Sequence, residues 1–163
     1  MTGRNRVRNA MHYRPIDKVP VQFYYTPVGY YEHGEKLNDL FETLPGDFEP
    51  FRRMQVPVIE ESAFDASGNY HFFQRDKWGT LWEYRIFGIT GIPVEFPLAD
   101  ISALEHYAFP EAPELSGPKF EEYLKKVSER QKQYYYLQHA GSLFERLIAL
   151  RPEEDVLCDI ALG

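Results

Sequence analysis

The sequence predicts a protein of mixed α and β structure, on the strength of three observations. A short β-type run, Val19–Tyr25, is bounded by prolines and follows an opening helical segment. Residues 55–96 contain short runs with strand-like alternation, and a strand–turn–helix order returns after residue 133. With 163 residues, the chain is long enough for one domain with a core of its own, so we expect a single domain over 1–163.

The first third of the chain is predicted to alternate between helices and one strand. Residues 3–12 carry apolar side chains at helical spacing, with Thr2 as the cap. Val21–Tyr25 is β-rich and predicts a buried strand, after which Pro27 and Gly29 predict a loop. Two short helices are expected at Leu37–Thr43 and Phe48–Met54.

The middle of the chain changes to an alternating pattern. Val56–Ile59, Tyr70–Gln74 and Thr80–Phe87 read as short strands, separated by turn-forming residues at Asp65–Asn69 and Asp76–Gly79. Apolar and polar side chains alternate along the last run, as in a half-buried antiparallel sheet. We therefore predict a β-meander there.

The last third is predicted to be mostly helical. Pro118 opens a helix with one apolar face, and Tyr134–Gln138 follows as a second buried strand. Ser142 with Glu145 forms a capping box that starts another helix. Pro152 starts the last helix, with acidic residues in its first turn, where the helix dipole favours them.

Composition and charge exclude several classes of protein. The net charge is −7 and the basic residues are scattered, whereas a nucleic-acid surface needs clustered lysines and arginines, so we expect no nucleic-acid partner. No apolar run approaches the roughly 20 residues that span a bilayer, and the start lacks a signal-peptide core, so we expect a cytoplasmic protein without membrane contact. The single cysteine, Cys158, cannot form an internal disulfide; we expect it to be buried in the last helix.

Four segments, in order along nearly the whole chain, resemble motifs of the uroporphyrinogen decarboxylase superfamily. They are the opening motif Arg14–Val21, Asp76–Thr80, Pro97–Asp100, and the second-strand turn with its helices over 140–160. The second and third are similar to the Asp-x-Trp-Gly-Thr and Pro-Leu-x-Asp signatures of the divergent, methyltransferase-like branch.

This resemblance implies the N-terminal part of a TIM-type (β/α)8 barrel, which needs roughly 250 residues to close. Val21–Tyr25 and Tyr134–Gln138 are then expected to be neighbouring parallel strands, with 55–96 as a β-meander insertion outside the barrel wall. A partial barrel leaves apolar surface uncovered, so we expect a homo-oligomer formed by the last two helices and the edge beside Tyr134–Gln138.

The resemblance also bears on the chemistry. Family members that decarboxylate uroporphyrinogen carry an arginine-rich run just past the first strand, whereas this chain has Tyr25-Thr26-Pro27-Val28-Gly29-Tyr30 there. Tyrosines cannot pair with eight carboxylates as bidentate arginines do. The resemblance therefore favours the branch that transfers methyl groups between small molecules and corrinoid proteins, with zinc possible in a C-terminal half that this chain lacks.

Two alternatives stay open beside methyl transfer. One is a non-catalytic binding module derived from the enzyme, and the other is uroporphyrinogen decarboxylation in tetrapyrrole biosynthesis. The five histidines show no metal-ligand spacing. The pattern identifies neither the catalytic residues nor a metal site within this chain, which by itself is expected to lack a complete active site.

Candidate substrate-binding residues follow from the rule that barrel active sites lie at the C-terminal ends of the strands. Gln22, Tyr24 and Tyr25 end the first predicted strand, Tyr30 lies in the loop after it, and His139 follows the second. His139 could equally be a turn histidine with its hydrogen bonds satisfied locally. The expected partner of this site is a small-molecule substrate or a corrinoid protein.

Overall fold

The computed structural model describes residues 1–138 and 141–162, and its mixture of helices with one small sheet confirms the mixed α and β composition. The α-helices are α1 Gly3–Met11, α2 Pro27–His33, α3 Glu35–Glu42, α4 Gly117–Arg130, α5 Leu143–Leu150 and α6 Glu153–Leu162. The strands are β1 Phe72–Arg75, β2 Leu81–Tyr84 and β3 Ile92–Glu95, and short 3-10 helices lie at Glu61–Ala63 and Ile101–His106. No helix in these ranges has the length and apolar character to cross a bilayer.

The sheet is an antiparallel meander in the order β1-β2-β3, which confirms the type of structure predicted for the middle of the chain. Phe72 pairs with Tyr84 and Arg75 with Leu81. The expected strand Val56–Ile59 does not form; Pro57 cannot donate to a ladder there. The outer strand β3 was not predicted, because it contains Pro93 and proline argues against a strand. On an edge strand, however, a proline is tolerated.

The chain divides into two compact units, each assembled from two stretches of sequence. The first unit contains residues 1–57 and 113–138, and with them α1 to α4. The second contains residues 58–112 and 141–162, and with them the sheet, α5 and α6.

In the first unit, two of the helix starts have side-chain caps. Thr2 Oγ1 accepts a hydrogen bond from the Asn5 amide at 3.2 Å, which confirms the predicted cap of α1. Thr26 caps α2 by accepting from the Gly29 amide at 3.5 Å. A loop had been expected after Pro27, but proline at the first helical position has no amide to lose, so a helix forms instead.

The prediction of two parallel strands at Val21–Tyr25 and Tyr134–Gln138 is wrong: neither segment is a strand. Asp47 forms hydrogen bonds to both segments, through Val21 and Tyr135. Val21 uses both of its backbone polar groups on Asp47, donating to its side chain at 2.9 Å and accepting from its amide at 2.9 Å. Tyr135 N–H donates to the Asp47 carbonyl at 2.9 Å. A barrel wall therefore stays a prediction.

The helix expected at Phe48–Met54 is absent from the structure. Pro50 disfavours helical geometry at the residue before it. Met54 bonds through both backbone groups to the buried side chain of Asn38, at 3.0 Å from its amide and 2.8 Å to its carbonyl. Because Asn38 belongs to α3, the segment is held in extended form against that helix.

In the second unit, the helices α5 and α6 confirm their predicted starts. Ser142 Oγ accepts from the Glu145 amide at 3.2 Å, and Glu153, Glu154 and Asp155 occupy the first turn of α6. The buried apolar residues of this unit are Leu98, Ala149, Leu150 and Val156.

Cys158 is exposed, contrary to the burial expected for it. The helix α6 buries Val156. Two residues further along, at 3.6 residues per turn, the side chain points to the opposite side of the helix. Cysteine is usually buried, but position 158 lies on the exposed face of α6.

Candidate functional site

A partly buried ionic cluster in the first unit, in which Arg6 and Asp47 are buried and Asp17 is exposed, fixes the start of the segment that contains Gln22. Arg6 donates from Nε to Asp17 Oδ1 at 2.6 Å and from Nη2 to Asp17 Oδ2 at 2.9 Å, and its Nη1 bonds to Asp47. The hydrogen bond from Arg6 holds the pKa of Asp17 well below its usual range. Asp17 belongs to the opening motif Arg14–Val21, so this motif has a positioning role in the structure.

Residues that follow this cluster line a small aromatic cavity of about 30 Å³, which is room for about one water molecule. Its walls include Gln22, Phe23, Tyr25, Phe41, Phe48, Glu49 and Phe51. Phe41 is central to the aromatic packing, because its ring centroid lies 5.7 Å from that of Phe23 and 5.4 Å from that of Tyr25.

A second cavity, of about 190 Å³, shares Gln22, Phe48 and Glu49 with the first. Its other walls are Arg130, at the end of α4, with Tyr136 and Leu137. We call this space the Gln22–Arg130 cavity. It places one guanidinium, one carboxylate and one carboxamide around a mainly polar space, to which Phe48 and Leu137 add a little apolar surface.

The guanidinium of Arg130 has hydrogen-bonding capacity to spare. Its Nη2 donates to Glu49 Oε2 at 3.4 Å, and its Cζ lies 5.2 Å from the centre of the Tyr136 ring. Its Nε is buried without a hydrogen-bond partner among the residues that the structure describes. Most of the five N–H groups of this side chain are therefore uncommitted to protein acceptors in residues 1–138 and 141–162.

The structure brings together part of the predicted site. Gln22 lines both cavities and Tyr25 lines the aromatic one. Tyr30 is fully buried behind Tyr25, with ring centroids 5.6 Å apart, and burial raises the pKa of its hydroxyl. Tyr24 is 82% exposed, and His139 lies outside the described residues.

Sequence reasoning missed Glu49 and Arg130, the two charged residues of the Gln22–Arg130 cavity. Glu49 lies in the segment for which the sequence predicts a helix, and Arg130 is the last residue of α4. No local motif marks either of them. An arginine at the end of an amphipathic helix is explained by its favourable interaction with the helix dipole. The sequence therefore provides no reason to expect a contact with Glu49.

In the second unit, the Asp76–Thr80 motif forms a closed turn. Asp76 Oδ1 accepts from the amides of Trp78 and Thr80 at 2.8 and 3.1 Å, and its Oδ2 accepts from the Trp82 indole at 3.0 Å. Thr80, fully buried, donates from Oγ1 to the Ala149 carbonyl at 2.7 Å. The Asp76 carboxylate therefore closes the turn, while Thr80 links the turn to α5.

A second polar cluster lies on one face of the sheet. His71 Nε2 is 2.8 Å from Glu83 Oε1, and Arg85 Nη2 donates to Glu83 Oε2 at 2.9 Å. The hydrogen bond from Arg85, followed by that from His71, lowers the pKa of Glu83. Glu83 is buried and holds both partners, which indicates a stabilising ionic cluster on β2.

Within the described residues, no three histidine, cysteine, aspartate or glutamate side chains are grouped so as to hold a metal ion. The zinc implied by the family resemblance therefore has no fitting ligand set there, and no chemical step is assigned to it. No family model matches the chain, and neither a curated protein nor a solved structure matches it.

Proposed function

We propose that this chain is the N-terminal part of a uroporphyrinogen decarboxylase-like protein of the methyl-transfer branch, and that the Gln22–Arg130 cavity binds its small-molecule substrate. The proposal combines the motifs of the sequence with the position of Gln22, a predicted substrate-binding residue, in the wall of this cavity. A TIM-type barrel for the whole protein is part of the proposal.

The charge of the cavity walls is the observation that carries the choice of branch. Among the described residues that line the two adjoining cavities, Arg130 is the one cation and Glu49 the one carboxylate. A porphyrinogen brings eight carboxylates, which Glu49 would repel and which a single guanidinium cannot neutralise. A small substrate with a single acidic group needs only one guanidinium partner, which Arg130 supplies.

The residues of the cavity would bind and orient such a substrate. Arg130 offers N–H groups to an acidic group, and Gln22 offers a carboxamide that both donates and accepts. The ring of Phe48 lies in the same wall and offers apolar contact to the rest of the substrate. The methyl acceptor in this proposal is a corrinoid protein, and the groups that act on the methyl group itself lie beyond the residues assigned here.

We expect the purified chain to form no coproporphyrinogen from uroporphyrinogen above the rate of a protein-free control. The reason is the missing arginine cluster, and the measurement is chromatography of the oxidised porphyrins after anaerobic incubation. The positive arm uses the longer protein that this chain is proposed to begin, because the chain alone is expected to lack a complete active site. It supplies a corrinoid protein in its reduced state with a panel of methylated amines, ethers and thiols. Formation of the methylated corrinoid, seen in its absorption spectrum, is expected for one class of donor; coproporphyrinogen formation instead would contradict the proposed function.

A further inference from the structure

The Gln22–Arg130 cavity has walls of opposite charge, and these define the ligand more closely than the branch of the family does. Arg130 is the cation, Glu49 the anion, and Gln22 and Tyr136 the uncharged polar groups, while Phe48 and Leu137 supply a little apolar surface. A ligand with only an acidic group would be repelled by Glu49, and one with only a cationic group by Arg130. A ligand with both charges is attracted by both walls.

The existing contact between the two charged walls is weak enough to be replaced. Arg130 Nη2 lies 3.4 Å from Glu49 Oε2, longer than the about 2.7–2.9 Å of a strong charge-assisted hydrogen bond. Their side chains are 28% and 54% exposed, and ion pairs at such positions contribute little to stability. A ligand carboxylate at Arg130 and a ligand cation at Glu49 would exchange one long contact for two shorter ones.

The choice of a methylated cation over a primary ammonium follows from the proposed methyl transfer, and the Phe48 ring of the cavity can contact such a group. A methylated ammonium group is large, weakly hydrated and attracted to aromatic rings, whereas a primary ammonium needs several hydrogen-bond acceptors. Phe48 lines the cavity beside Glu49, and the aromatic cavity adjoins it on the same residues. The volume of about 190 Å³ admits only a small molecule.

We propose that the Gln22–Arg130 cavity binds a small zwitterion, in which a carboxylate is joined by a short link to an N-methylated ammonium group. The carboxylate contacts Arg130 and Gln22, and the methylated ammonium lies between Glu49 and Phe48. This inference rests on the proposed function, because the methyl groups of such a ligand would be the ones transferred.

The test is calorimetric titration of the chain with N,N-dimethylglycine, and with acetate and tetramethylammonium as probes that each carry one of the two charges. We expect dimethylglycine to bind about tenfold more tightly than either probe. R130Q should weaken the binding of dimethylglycine about tenfold, since it removes a charged hydrogen bond. E49Q should weaken the binding of dimethylglycine, whereas the binding of acetate should be unchanged or tighter.

The control variant is R52Q, which also removes one arginine from the first unit, at an exposed position outside the walls of both cavities. It should bind all three compounds like the wild type. Circular dichroism and a thermal melt establish that R130Q and E49Q are folded, because Arg130 packs on Tyr136 and could contribute to stability.

The zwitterion proposal would be overturned if acetate and dimethylglycine bound with equal affinity. It would also be overturned if neither R130Q nor E49Q changed the binding of dimethylglycine. Neither result touches the methyl-transfer assay, in which ethers and thiols are also supplied. If methylated corrinoid forms from an uncharged ether while dimethylglycine fails to bind, the proposed function stands and this inference fails. If dimethylglycine binds as expected and no donor yields methylated corrinoid, the inference stands and the proposed function fails.

Discussion

Glu83 shows how a single residue can connect the chemistry of a cluster with the stability of an element. Its carboxylate is buried on β2 and receives hydrogen bonds from Arg85 and His71, at 2.9 and 2.8 Å. Because these contacts favour the charged form, its pKa is lowered in the folded protein. A group of this kind stabilises the fold at any pH above its unfolded pKa, and the contribution is lost as the pH falls through the lower, folded value.

We therefore expect the wild type to lose thermal stability between neutral pH and a pH below the usual glutamate pKa of about 4.3. E83Q should be less stable than the wild type at neutral pH and should lose less of its stability on acidification. Thermal melts at a series of pH values measure both effects. E60Q, at an exposed glutamate of the same unit, should keep the wild-type profile; an unchanged pH dependence in E83Q would show that other groups cause the acid transition.

Individual residues were predictable from sequence wherever their partner lay within a few positions. Thr2, Ser142 and the Asp76–Thr80 turn were all identified, because each is satisfied by amides two to four residues away. Arg130 and Glu49 were not, since their contact joins residues far apart in the chain. Of the predicted site, Gln22 and Tyr25 line a cavity, whereas Tyr24 belongs to the same segment and points outward.

At the scale of the elements, tertiary contacts overrode two local signals. The β-rich run Val21–Tyr25 has the composition of a strand, yet the backbone and side chain of Asp47 occupy the polar groups of Val21 that would start its ladder. The segment after Phe48 has apolar side chains suited to a helix, yet Asn38 takes both backbone groups of Met54. Neither the role of Asp47 nor that of Asn38 can be predicted from sequence without knowing which distant residues come close in the fold.

Asn38 lets this explanation be tested on one element. N38A would leave the Met54 amide and carbonyl without their partner, in a site where Asn38 itself is fully buried. We expect the free energy of unfolding to fall by about 1–3 kcal/mol, the usual cost of leaving buried polar groups unpaired. Urea unfolding measures the loss, and hydrogen exchange should show faster exchange of the Met54 amide.

The matched control is N5A, which makes the same substitution at an exposed position of α1. There alanine is the better helix former, so stability should hold or rise slightly. A wild-type exchange rate at Met54 in N38A would mean that the segment after Phe48 is held by contacts other than the Asn38 side chain.

At the scale of the whole molecule, the exposed apolar side chains of α5 and α6 bear on self-association. Leu157 is 50% exposed, Ile160 65% and Leu162 88%, and α5 adds Leu143 at 77%. When exposed apolar residues form a contiguous patch, the patch usually marks a contact with another protein. A partial barrel was expected to leave such residues uncovered, and a second copy of the chain remains the partner that we predict.

We expect the chain to form a dimer or a larger assembly, and the double variant L157E/I160E to shift it toward monomer, because buried carboxylates would repel one another across a symmetric contact. Light scattering over a wide concentration range measures the mass. The double variant E121Q/K125Q, on the exposed side of α4, should leave the assembly unchanged. A monomeric wild type at every concentration would exclude self-association through α6.

The position of Asp47 between Val21 and Tyr135 also governs when the first unit can be completed during synthesis. Translation proceeds at about 5–20 residues per second, so Tyr135 is added about 4 to 18 s after Asp47. Throughout that interval the Asp47 carbonyl lacks the amide that it accepts from in the folded protein. The hairpins of β1, β2 and β3 need only residues made in the meantime, so the inserted sheet can form on the ribosome before the unit that surrounds it in sequence is closed.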